Sequence, residues 1–79
     1  MLAKISLVDM KTGEEGIIID ISGGRGVYNR LKSMGIRLGV KIARVNSGFG
    51  RGPVVLRVGR TQTALGFGVA HKIIIEVKR

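Results

Sequence analysis

Few side chains in this sequence are suited to chemistry. It has one histidine, His71, no cysteine, and five carboxylates, Asp9, Glu14, Glu15, Asp20 and Glu76. A single imidazole with no thiolate partner and no clustered carboxylates does not make a metal site. The lack of cysteine also excludes a disulfide framework and a cysteine nucleophile. Glu14 and Glu15 are adjacent, but neighbouring side chains on an extended chain point in opposite directions and make a poor acid–base pair. No G-x-S-x-G elbow is present to expose a nucleophilic serine. The expectation is therefore no catalytic residue, no cofactor and no metal ligand set, with His71 serving as a surface or capping residue.

Two glycine-rich segments remain as candidates for holding a phosphate. Gly23-Gly24-Arg25-Gly26 precedes an apparent helix, whose first N–H groups attract anions. It lacks the full G-x-G-x-x-G spacing, and no lysine–serine ending follows. Gly48-Phe49-Gly50-Arg51-Gly52 also departs from nucleotide-loop spacing. Both read as turns that redirect strands.

Positive charge is the strongest compositional signal. Fourteen Lys and Arg face five Asp and Glu, a formal charge of +9. Such a field attracts nucleic acid, anionic surfaces or an acidic protein face. The cations are dispersed: Arg25, Arg30, Lys32 and Arg37 lie around one predicted helix, and Lys41, Arg44, Arg51, Arg57 and Arg60 follow. Sequence-tolerant nucleic-acid binders add stacking aromatics. Here the aromatics are only Tyr28, Phe49 and Phe67. Nucleic acid is thus not the favoured partner, although a small basic barrel that binds it stays as an alternative.

The elements that must position these residues follow from periodicity. With 79 residues the chain makes one small domain, 1–79, without linker or repeat. Leu2, Ile5, Leu7 and Val8 form an apolar opening with no clean period, and the residues from Thr12 to Gly16 read as a turn. Ile17 to Ile21 is a β-branched strand signal, with Asp20 and Ser22 opposite Ile19 and Ile21. Val27, Leu31 and Met34 recur at helical spacing, and Gly35 stands where a left-handed cap is wanted. Alternation then predicts strands at Val40–Val45, from Val54 to Val58, from Thr61 to Leu65 after a Gly59-Arg60 hairpin turn, and at Ile73–Val77. Four or five short strands with glycine turns and one helix suggest a small barrel, which removes exposed edges. No apolar run approaches the roughly 20 residues that cross a bilayer, and Lys4, Asp9 and Lys11 interrupt any leader. The expected location is cytoplasmic, with no membrane insertion.

The segment Arg30-Leu31-Lys32-Ser33-Met34-Gly35-Ile36-Arg37-Leu38-Gly39-Val40-Lys41-Ile42 resembles the R-L-x-x-[LM]-G-[IL]-x-x-G-x-x-I signature of the FeoA family, ferrous iron transport protein A. The opening from Leu7 to Glu14, the Gly52-Pro53-Val54 strand start, and Leu65, Ala70 and Ile73 near the end extend the resemblance over nearly the whole chain. Three positions depart from the family's habit: Leu38 stands where proline is common, Gly66 where arginine is common, and Val69 where an acidic residue is common. The resemblance implies an SH3-like β-barrel of about five strands with one short inserted helix. In that pattern Leu31, Met34, Gly35 and Gly39 are structural. It also implies a cytoplasmic accessory protein of ferrous iron uptake, whose partner is the FeoB-type membrane transporter or its GTPase domain. The same barrel closes iron-dependent repressors, so a metal-sensing module is a further alternative.

Within that frame the expected partner-binding face consists of Arg25, Tyr28, Arg30 and Lys32 on the helix, with Phe49 and Arg51 on the glycine-rich loop. Tyr and Arg are favoured hot-spot residues at protein interfaces. Complementary charge would speed encounter with an acidic patch. The sequence leaves the oligomeric state open, including a homodimer through an exposed barrel edge.

Overall fold

A computed structural model of the chain describes residues 1–46 and 52–79. The expected strands are present, and among these residues the strands number six. In chain order the elements are β1 (Leu2–Ser6), a single 3-10 turn (Leu7–Asp9), β2 (Glu15–Ile21), α1 (Gly24–Ser33), β3 (Lys41–Arg44), β4 (Val54–Val58), β5 (Thr61–Leu65), α2 (Phe67–His71) and β6 (Ile73–Lys78). The strands form one antiparallel sheet in the order β1-β6-β2-β3-β4-β5.

The additional strand is β1. It pairs only with β6 and leaves Leu2 exposed, so its apolar residues show no simple alternation. A second helix, α2, is one that periodicity does not predict. It spans five residues, too few for a 3.6-residue period to register. Helix α1 begins three residues before the predicted Val27, at Gly24. Gly23, at φ +105°, turns the chain into it.

β6 carries the clearest pattern. Ile73, Ile75 and Val77 are buried and alternate with half-buried or exposed residues. β2 behaves differently because a bulge between Ile18 and Asp20 shifts its register against β6. Ile18 is buried and Ile21 packs on the core beyond the bulge, while Ile17 on the other face is exposed. A bulge inserts one residue and reverses which parity faces inward. The core gathers Leu7, Met10, Ile18, Leu31, Ile36, Ile42, Leu56 and Ala70 with the inward residues of β6. Branched aliphatics with Met10 and Ala70 build it, and among the described residues no aromatic side chain belongs to it.

Expected closure of the edges is not met among the described residues, because β1 and β5 end the sheet and each pairs on one side only. Among these residues no helix is long and apolar enough to cross a membrane.

Candidate functional site

The candidate site is built on α1, whose position follows from local chemistry at its end. Gly35 adopts φ +83°, which a side chain disfavours and glycine does not. Its N–H donates to the Lys32 carbonyl at 3.0 Å, and the Ile36 N–H donates to the Leu31 carbonyl at 3.0 Å. This paired arrangement is a Schellman cap, and the apolar contact that accompanies such caps is supplied by buried Leu31 and Ile36. The cap therefore locks the helix end and the core together. Gly39, at φ +86°, then turns the chain into β3, its N–H donating to the Ile18 carbonyl at 2.7 Å.

Around the helix, successive residues advance by about 100°. Leu31 points into the core, with half-buried Val27 and Met34 to one side of it. Tyr28, Lys32 and Arg25 fall on the opposite flank, roughly 60–120° from Leu31. Arg30 falls on the Val27 and Met34 flank, roughly 100° from Leu31. The helical part of the expected face is thus split: Arg25, Tyr28 and Lys32 share one side, and Arg30 belongs to the other. Phe49 and Arg51 lie outside the described residues.

On the Arg30 side a cleft of about 110 Å³ separates α1 from the end of β5 and α2. Val27, Leu31, Met34, Leu65 and Val69 give it an apolar lining, with Arg30 as its charged member. Gly66 also borders it. Two of the positions that depart from the family's habit, Gly66 and Val69, therefore meet at one place.

Charge is distributed unevenly. Residues 21–75 contain no carboxylate side chain at all, a signal readable in the sequence that the residue-by-residue reading missed. All of the carboxylates precede or follow that stretch: Asp9 in the 3-10 turn, Glu14, Glu15 and Asp20 on or next to β2, and Glu76 on β6. The ion pairs among the described residues reflect this: Lys41 meets Glu15 at 3.6 Å and Arg79 meets Glu14 at 2.9 Å. The Arg79 guanidinium donates to both oxygens of Glu14, and the Lys11 N–H donates to one of them. These hydrogen bonds, that of Arg79 foremost, hold the Glu14 carboxyl down to about 2. The same contact raises Arg79. By contrast, none of the exposed Arg25, Arg30, Lys32 and Arg37 forms an ion pair among the described residues.

One cation changes role altogether. Arg44, grouped above with the dispersed surface charge, is buried. Its guanidinium donates 2.8 Å hydrogen bonds to the carbonyls of Val8 and Met10, and its Nε meets no acceptor among the described residues. It pins the Leu7–Asp9 turn to β3 rather than contributing to the external field. His71 ends α2, exposed, with its ring stacked on Phe67 at 6.0 Å. Its carbonyl accepts from the Ser6 hydroxyl at 3.1 Å. Among the described residues no three His, Asp or Glu side chains come together as metal ligands would.

A family model described as the FeoA domain matches residues 5–77. The chain belongs to the FeoA family. A relative from Methanocaldococcus jannaschii, named "Putative Fe(2+) transport protein A", is 39% identical over 66 residues, covering 84% of this chain and 78% of that protein. A crystal structure of an iron uptake regulatory protein, FeoA, superposes with a TM-score of 0.84 at 30% identity, covering 95% of this chain and 99% of the other. A manganese-dependent transcriptional repressor superposes with a TM-score of 0.86 at 18% identity, covering 99% of this chain but 44% of the repressor. That last likeness concerns the fold alone. The family match bears out the SH3-like barrel with an inserted helix.

Proposed function

We propose that this FeoA-family chain is a cytoplasmic accessory protein of ferrous iron uptake that works by binding the FeoB-type transporter, through its GTPase domain or its membrane part. The observation that carries the reading is α1: a helix capped into the core, bearing on both flanks cations that form no ion pair among the described residues, with an apolar cleft beside one of them. Unpaired charge gives long-range attraction and fast encounter, whereas an apolar cleft gives affinity once water leaves. The arrangement suits recognition of an acidic protein surface with an apolar anchor. A rigid scaffold also limits the ordering that binding would otherwise require.

Titration of the purified chain against its own organism's transporter, in each nucleotide state and at near-physiological salt, tests the reading. Random-sequence nucleic acid serves as competitor. Saturable binding that survives the competitor is expected. Absence of binding in every nucleotide state, with salt-steep nucleic-acid binding instead, would transfer the assignment to a nucleic-acid-binding barrel.

A further inference from the structure

The outer edge of β5, at one end of the sheet, is bordered by cations. β4 and β5 are joined by a two-residue turn, Gly59-Arg60, with Val58 opposite Thr61. Gly59 has φ +60° and Arg60 a negative φ, as in the hairpin turn that takes glycine first. The residues flanking such a turn exchange hydrogen bonds, and bonded pairs alternate along the ladder. Thr61, Thr63 and Leu65 therefore direct their backbone groups at β4. Gln62 and Ala64 direct theirs outward, and both residues are exposed. Among the described residues no strand meets them.

Edge strands are commonly guarded by charge, proline or bulges. β5, with the sequence Thr-Gln-Thr-Ala-Leu, carries none of these. The other edge, β1, carries Lys4. The side chains around β5 are basic: Arg57 lies opposite Gln62 on the outer face, Arg60 occupies the turn, and Arg30 stands at the cleft beside Leu65. No carboxylate belongs to α1, β3, β4 or β5.

The geometry points to β5 as the docking edge for an extended, acidic segment of the partner protein, added as one more antiparallel strand. The outward N–H and C=O groups of Gln62 and Ala64 supply the main-chain bonds, as in other cases of strand addition. Side chains of the added strand alternate between two faces. Those on the inner face lie toward the apolar cleft of Val27, Met34 and Val69, and those on the outer face meet Arg57. The segment recognised thus alternates apolar residues with carboxylates. Charge selects this occupant over a second copy of the chain, because two molecules of +9 repel. The inference rests on the accessory reading for the identity of the partner but not for the chemistry of the edge.

The probe is an acetylated and amidated heptapeptide of alternating Glu and Val, added to the labelled full chain at near-physiological salt. Saturable shifts and slowed amide exchange at Gln62 and Ala64 are expected. Ala64→Pro removes one outward N–H without touching the β4 ladder and should weaken the peptide at least tenfold. A peptide N-methylated at alternate amides should lose affinity equally, which keeps the test readable if that variant does not fold. A Lys and Val peptide should not bind. Peptide binding that leaves Gln62 and Ala64 unmoved, or no binding at all, would overturn the inference. Protection at those amides that rises with protein concentration instead of peptide would also overturn it, in favour of a second copy. If Ala64→Pro binds the transporter as wild type does, the edge inference fails and the accessory reading stands. If wild type ignores the transporter yet takes the peptide as described, the accessory reading fails and the edge stands.

Discussion

Replacement of Arg44 by methionine tests the buried guanidinium directly. Arg44 donates at 2.8 Å to the carbonyls of Val8 and Met10. Removing a donor from a buried carbonyl costs about 1–3 kcal/mol. Val8 is half-buried, so water can reach its carbonyl and its share is about 1 kcal/mol. Met10 is buried, which puts its share near the top of that range, about 2–3 kcal/mol. Against this, methionine relieves the Nε that lacks an acceptor and a buried charge, together worth about 1–2 kcal/mol. The net expectation for Arg44→Met is a loss of about 2 kcal/mol, or roughly 10 °C in Tm for a domain this small. Arg44→Lys, a point charge able to serve one carbonyl well, should lose about half as much. Urea melts followed by circular dichroism, with an unchanged m-value, measure both. A methionine variant as stable as wild type or more so would refute the reasoning. It would show that the hydrogen bonds fail to offset the desolvated charge, as happens when some buried ion pairs are replaced by apolar groups.

Gly35→Ala should cost about 1–2 kcal/mol, because φ +83° places a Cβ against the following carbonyl, and thermal melts will show it. Gly16→Ala should be worse: a Cβ there would collide with the Ile75 side chain and lie 2.7 Å from the Glu76 carbonyl oxygen, so loss of the folded far-ultraviolet spectrum at 37 °C is expected. The Glu14 carboxyl sits at about 2 against an ordinary 4.5, so its contribution is fully present above about 4.5 and is lost as pH falls through about 2. Carboxyl titration by NMR should return Glu14 toward 4.5 in Arg79→Ala, and the acid limb of the stability curve should flatten over that window. Exchanging Arg25 and Lys32 for glutamate should slow association with the transporter at least tenfold at low salt while leaving the melt unchanged. Association rates indifferent to both exchange and salt would exclude that flank of α1 from the encounter.

Several features were legible in the sequence because their causes are local. Val27, Leu31 and Met34 at helical spacing followed by Gly35 specify a helix and its stop, since the cap bonds of Gly35 and Ile36 return to residues only a few positions back. The alternation of Ile73, Ile75 and Val77 marks β6 because one face of this strand, paired along both edges, lies against the core. The family signature added the barrel topology, which no local period contains. The acid-free stretch from 21 to 75 is equally a property of the sequence alone.

Tertiary structure decided the remainder. β1 is a strand because β6 pairs with it; Ala3 and Ile5 turn inward, but an apolar Leu2 on the outward face hides that alternation in the sequence. The bulge in β2 is visible only against its partner, and it determines that Ile18 and Ile21 both reach the core. Arg44 became internal because carbonyls 34 and 36 positions away converge on it. The helix turned Arg30 away from Arg25 and Lys32 and toward a cleft completed by Leu65 and Val69. In each case the deciding partner is remote in sequence, and a residue's period reports only the face it turns inward, not what that face meets.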